Sequence, residues 1–205
     1  MTTDQAPATR ASERGAATRT GLLEAARGVF TSAGYAQAGV TDIVALAGTS
    51  VGSLYHHFSG KADLYLTLYD EQITYRAEQT RLAVRHARDT GVSDPMQLFL
   101  TGARRYLDLC IEDRELAAVF AGGDGPPGFE LIWRQRLAEW VTKNTEFFAR
   151  GGEPLEEAVA IVMTGAMMLA VTEVSLAVDA ARARRIADSV MQVLSRLENP
   201  TSQLS

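Results

Sequence analysis

VTDIVALAGTSVGSLYHHF, residues Val40 to Phe58, is the stretch on which the fold turns. Val40, Ile43 and Ala47 recur at helical spacing and predict a short amphipathic helix. Gly48 follows as a helix-ending residue. Ser50 then offers a side-chain oxygen to cap a second helix, whose apolar stripe is Leu54 and Phe58. Two short helices about a tight glycine turn are the sequence form of a helix-turn-helix. The second helix carries Thr49, Ser50, Val51, Ser53, Tyr55 and His56 at its start and on its outer face. These are short hydroxyls, a methyl-bearing side chain, an aromatic hydroxyl and an imidazole, a set better suited to the DNA major groove than to water or a core.

The flanks support that reading. Upstream, Leu22, Leu23, Ala26, Val29 and Phe30 form one apolar face of a helix over 15–33, and Gly34 stands where a helix-ending glycine belongs. Thr41 opens the first motif helix, where a hydroxyl and free backbone N–H groups can meet a phosphate. Downstream, Ser59-Gly60 breaks the chain and Lys61 begins a long helix to about Arg88. A lysine in a first helical turn opposes the helix dipole, so a phosphate is the partner expected for Lys61. Arg81, Arg85 and Arg88 lie roughly 30 Å further along and read as a solvated face. Residues 1–14 lack periodicity and read as a loose tail, either solvated or reaching DNA through Arg10 and Arg14.

Bulk properties narrow the class. The chain has 205 residues, 46% of them hydrophobic and 22% charged, enough for a large core and too apolar for a disordered chain. The net charge of −5 is unevenly spread: residues 1–61 carry about +1, so the remainder carries about −6. The sign suits an N-terminal DNA reader on an acidic body. A single cysteine, Cys110, predicts a reducing, cytoplasmic setting. No secretory signal opens the sequence, and the longest apolar run, Ala158 to Val171, falls short of the roughly twenty residues a membrane span needs. It is expected as a buried core helix of a soluble protein, with no membrane partner.

The rest of the chain is helical by pattern. Helices are expected at 96–113, 115–121, 129–150, 154–178 and 180–197, with no strand-like alternation of useful length. The expectation is all-α, about nine helices. Gly122 to Gly128, the densest breaker, is either a surface loop or a flap over a pocket. Tyr106, Cys110, Trp133, Leu137, Trp140, Met163 and Met167 lie on apolar faces that could converge on a cavity or simply fill the core. With no Arg or Lys inside these stripes, the expected ligand is neutral and largely apolar. The helix from Ala158 to Val178 is apolar nearly all round, so one face needs a further partner. Val162, Gly165, Ala166, Ile186, Val190, Leu194 and Leu197 are the residues expected in a two-fold, four-helix dimer interface.

Thr18 to Tyr35, followed by Val40 to Tyr65, resembles the N-terminal DNA-binding domain of TetR-family transcriptional regulators (TetR/AcrR type). Ala25-Ala26, Phe30, Gly34-Tyr35, Asp42-Ile43, Ala47-Gly48, Ser50, Gly52, Leu54-Tyr55, His57-Phe58 and Lys61 carry the likeness. The resemblance implies a homodimer with three N-terminal helices and a larger helical ligand-binding domain in each subunit. It implies a repressor on a palindromic operator in double-stranded DNA, released by a small-molecule effector. It also implies phosphate contacts for Tyr55 and Lys61, with Thr41, Ser50, Val51, Ser53 and His56 facing the DNA. Ala38-Gly39 stands where such regulators usually have Thr-Ser, Val51 where a Lys or Arg is frequent, and Thr49 where Val is usual. The expected organisation is a tail over 1–14, a helix-turn-helix domain over 15–60, a ligand-binding and dimerisation domain over 61–198 and a C-terminal tail over 199–205.

An enzyme is not expected. His56 and His57 are adjacent and point about 100° apart on a helix, so they cannot share one metal. His86 stands alone, and no nucleophile elbow, phosphate loop or metalloprotease motif is present. No cofactor is expected. The alternative kept open is a helical small-molecule-binding or adaptor protein of the same fold without operator binding.

Overall fold

The computed structural model describes residues 6–149 and 154–196. The elements are α1 (Ala6–Gln37), α2 (Val40–Leu46), α3 (Val51–His57), α4 (Lys61–Asp89), α5 (Pro95–Glu112), α6 (Arg114–Ala121), α7 (Phe129–Phe148), α8 (Pro154–Ser175) and α9 (Ala180–Ser195). No strand occurs among the described residues. The all-α expectation of about nine helices therefore holds. Two compact units result: residues 1–71 with 123–126, and residues 72–122 with 127–205. The cut falls inside α4, after Glu71, rather than at its start.

In the first unit α1 begins at Ala6, so residues 6–14, expected as loose tail, continue the helix. Alanine, the strongest helix former, recurs through this stretch. Leu22, Ala26 and Phe30 are fully buried, as their spacing requires. Gly34 ends the regular helix with φ 76°, a left-handed conformation that costs glycine nothing. The backbone N–H of Gly39 donates to Asp42 Oδ2 at 3.2 Å, so Asp42 reaches back to cap the start of α2. Gly39 has no side chain to cap α2 in return. Gly48, at φ 63°, turns the chain out of α2. Ser50 then caps α3 by accepting from the Ser53 N–H at 3.1 Å. Ile43 and Leu54 are fully buried and Phe58 nearly so, which plugs both short helices into α1.

In the second unit α5, α8 and α9 pack on one another, and α6 and α7 lie against α8. Leu107, Cys110, Met163, Val174 and the small residues Ala160, Ala183 and Ala187 make its core. Asp94 and Asp179 cap α5 and α9 through the N–H groups of Gln97 and Arg182. The α8 helix differs from the buried core helix expected. Only 33% of the stretch Glu157–Ser175 is buried, although by length and composition it could cross a membrane. One face carries Met163, Met167 and Val174 into the core, while Ile161, Val162, Gly165, Leu169 and Leu176 are exposed. Glu173 shares the exposed side and would be costly in lipid.

Gly34→Ala should lower stability by roughly 1–2 kcal/mol, because alanine resists the left-handed backbone. A Cβ there would also lie 2.9 Å from Asp124 Oδ2. Thermal unfolding of Gly34→Ala in the wild-type and Asp124→Ala backgrounds checks both parts. The penalty should shrink in the second background without vanishing.

Candidate nucleic-acid interface and ligand cavity

The polar face foreseen on α3 is displayed outward. Val51 is 41% exposed and Tyr55 57%. Ser50, His56 and, on α2, Thr41 are exposed, while Thr49 and Ser53 are half-buried. Each position follows from Leu54 and Phe58 being driven inward: a helix that buries one stripe must show the opposite one. The Ser50 oxygen is already engaged as the α3 cap, which leaves its O–H to donate. His57, half-buried, sets its ring against His56 edge-on at 4.9 Å.

Lys61 departs from expectation. Its ammonium donates to the carbonyl of Tyr35 at 2.7 Å and to that of Ala36 at 3.4 Å. It also sits 4.3 Å from the centre of the Tyr35 ring. The charge that opposes the α4 dipole is thus matched by carbonyls at the end of α1, and no phosphate is needed to hold it there. The same corner receives Asp124, whose two carboxylate oxygens accept from the Ala36 N–H at 3.0 and 3.2 Å. One turn of backbone therefore has a cation on its carbonyls and an anion on its N–H. Phe30, Tyr35 and Tyr65 pack behind it with ring centres 5.1–5.9 Å apart. Burial, reinforced by the Asp124 charge, pushes the Tyr35 phenol up from its ordinary value. Tyr65 shifts the same way for the same reasons. The breaker at 122–128 is a surface loop, exposed at Gly122, Gly123 and Asp124, and its residues 123–126 belong with the first unit. No sequence pattern announced Asp124, which lies 88 residues from its partner.

Within the second unit a cavity of about 530 Å³ opens between α4, α5, α7 and α8. Tyr106, Trp140 and Met167 line it. Of the other residues proposed from sequence, Cys110 and Met163 are not in its wall but buried in the core, at 0% and 1% exposure. Trp133 is at the surface, and Leu137 is not among the lining residues. Apolar periodicity marks a buried face but does not separate a cavity wall from a filled core. The remaining walls come from Val84, Phe99, Phe147 and the polar Thr80, Asn144 and Thr164. The Asn144 amide donates to Thr164 Oγ1 at 2.8 Å, and that hydroxyl donates to the Ala160 carbonyl at 2.6 Å. Arg81, Arg88 and Lys143 also line the cavity. The premise of a wall without cations, on which a neutral ligand was expected, therefore fails. Arg81 and Arg88 are exposed, as expected of a solvated stripe on α4, yet they also border the cavity, and Lys143 joins them from α7.

Among the residues expected at a dimer interface, Val162 and Gly165 are exposed. Ala166, Ile186 and Val190 are half-buried against the unit's own core, and Leu194 is buried in it at 3% exposure. Leu194 thus serves its own subunit. Leu197 lies outside the described residues.

The sequence profile of the bacterial regulatory proteins of the tetR family matches residues 22–68. The chain is 40% identical over 68 residues to the HTH-type transcriptional activator FasR of Mycolicibacterium smegmatis, covering 33% of this chain and 31% of FasR. It is 36% identical over 97 residues to the HTH-type transcriptional regulator CymR of Pseudomonas putida, covering 46% of this chain and 45% of CymR. The match thus spans less than half the length of either relative. At the level of fold, a transcriptional regulator from Aquifex aeolicus superposes with a TM-score of 0.69 at 15% identity, over 88% of this chain and 99% of that one. The regulator FadR of Bacillus subtilis, solved in complex with stearoyl-CoA, superposes with a TM-score of 0.66 at 17% identity, over 85% of this chain and 96% of that one. The helix-turn-helix at 40–58 lies inside the matched segment, so residues 22–68 match the tetR family of bacterial regulatory proteins, and the all-helical fold is shared with the solved regulators.

Proposed function

We propose that the chain is a ligand-responsive transcriptional regulator, a cytoplasmic repressor that binds a palindromic operator in double-stranded DNA as a homodimer. The observation that carries this reading is the α3 face: hydroxyls, Val51 and Tyr55 held outward on a helix whose reverse side is locked by Leu54. Two such helices would enter successive major grooves about 34 Å apart. Thr41 and Tyr55, both exposed, would bond phosphates, and Val51 would pack on a thymine methyl. Lys61 contributes by fixing the corner before α2 rather than by gripping DNA directly.

An effector in the 530 Å³ cavity would be coupled against operator binding by its differential affinity for the two states. The aromatic walls suit an apolar body. FadR's stearoyl-CoA supports the idea that proteins of this fold hold small molecules. For the dimer, the support is the exposed apolar side of α8, with Ile161, Val162, Leu169 and Leu176. An apolar stripe of that length on a helix calls for a covering surface, and Gly165 permits another helix to come close. The relatives are transcriptional regulators, and that non-enzymatic class is the one assigned here.

Selection of bound fragments from genomic DNA at low salt tests the reading, since phosphate contacts are strongly screened. A palindromic site supports it. Recovery of no fragment would favour a small-molecule-binding or adaptor protein that has lost operator binding.

Three outcomes are expected of variants. Tyr55→Phe removes a hydrogen bond to a charged phosphate in each protomer, worth roughly 1.5 kcal/mol apiece, and should weaken all operator variants by about a hundredfold for the dimer. A change confined to base preference in a binding titration would contradict that role. Val51→Ala should relax selectivity at one base position and leave the salt slope of binding unchanged. Val162→Glu combined with Leu169→Glu should give a monomer by light scattering at concentrations on the order of micromolar, and operator binding should fall with it. A dimer that persists would place the interface elsewhere.

A further inference from the structure

A carboxamide stands in the middle of the aromatic wall of the second unit's cavity. On α7, Trp140, Lys143, Asn144 and Phe147 line it, at the spacing of one helix face. On α8, Thr164, Met167 and Val171 do the same. Asn144 and Thr164 therefore meet within the wall itself, where the Asn144 amide nitrogen donates to Thr164 Oγ1 at 2.8 Å.

Thr164 fixes which way that amide points. It is 1% exposed, and its single O–H donates to the Ala160 carbonyl at 2.6 Å. The hydroxyl oxygen is left only to accept, so Asn144 must turn its nitrogen to Thr164 and its carbonyl oxygen away. No donor among the described residues reaches that oxygen. Nor is it sealed off: the side-chain atoms both buried and unpartnered among the described residues are Arg76 Nε and Nη2 and Thr80 Oγ1. The carbonyl oxygen thus keeps accessible surface, on a residue of the cavity-facing stripe of α7.

The charges around the cavity select the kind of donor that fits. Arg81, Arg88 and Lys143 line it and no acidic residue does, so an ammonium would be repelled there. A neutral O–H would not.

We propose that the effector carries a neutral hydroxyl: its apolar body fills the aromatic part of the cavity, and its O–H donates to Asn144 Oδ1. The inference rests on the cavity being the effector site. A molecule of similar shape that can only accept would leave that oxygen desolvated and unpaired.

The test uses the purified full chain and two matched pairs, 2-naphthol with 2-methoxynaphthalene and decanol with decyl methyl ether, with binding followed by calorimetry. At least one hydroxyl compound should bind about fivefold or more tightly than its ether. Burial of the ether's extra methyl would by itself favour the ether about fourfold, so size cannot produce that order. Asn144→Leu should erase the preference while leaving ether affinity within about threefold of wild type. Thr164→Val removes the group that orients the amide, which is then free to present its N–H to the ligand. In that variant the ether should gain several-fold on the hydroxyl compound. Should Asn144→Leu fail to fold, Thr164→Val decides alone. Ethers binding as well as the hydroxyl compounds, a preference unchanged in both variants, or an equal loss for both members of a pair would overturn the hydroxyl and leave the effector site standing. If no member of either pair bound, the effector site and the hydroxyl inference would fall together.

Discussion

A seven-residue helix has almost no stability of its own in water, because nucleation costs more than one or two turns return. α3 is such a helix, and everything proposed for this chain needs it to be present and correctly turned. Its order is borrowed. Leu54 and Phe58 insert into the first unit, Ser50 satisfies an N–H at its start, and Gly48 lets the chain reverse without strain. Removing the packing would leave a cap and a turn with no helix to join. The reading face is a by-product of the buried face.

The same dependence extends to the corner before α2. Backbone groups at a helix end are unsatisfied by geometry, and here Lys61 and Asp124 satisfy them from 26 and 88 residues further along the sequence. Lys61 arrives on the first turn of α4, and Asp124 comes from the connection between α6 and α7. A lysine that looks misplaced against its own helix dipole proves to be placed for another helix. The departure at Ala38-Gly39 has a related explanation: with no side chain on Gly39, Asp42 caps α2 by turning back on the backbone N–H.

Much of this was legible in the sequence, and the rest was not for physical reasons. Local signals carried the helix-turn-helix: the Gly48 turn, the Ser50 cap and the Leu54-Phe58 stripe are all set within a few residues. The family likeness came from the same span. The α4 wall of the cavity was missed because its cations suggested solvent, and one helix can carry a wet side and a cavity side together. Cys110 and Met163 were taken with Tyr106 and Met167 because hydrophobic periodicity cannot register where a core leaves space. Leu194 and Val162 both fit an interface by pattern, yet only the latter faces outward. Asp124 was invisible, since a contact 88 residues apart leaves no local trace.

The nearly uncharged α3 face also bears on how quickly a site would be found. Fixed cations bind any DNA sequence, and each one lengthens the pause on irrelevant sequence. A face of hydroxyls, valine and tyrosine makes few such contacts, and Lys61 is already spent on carbonyls. Sojourns on arbitrary genomic DNA would then be brief, and search would proceed by frequent hops rather than long slides. Selectivity would rest on the ratio between a modest specific affinity and a very weak general one.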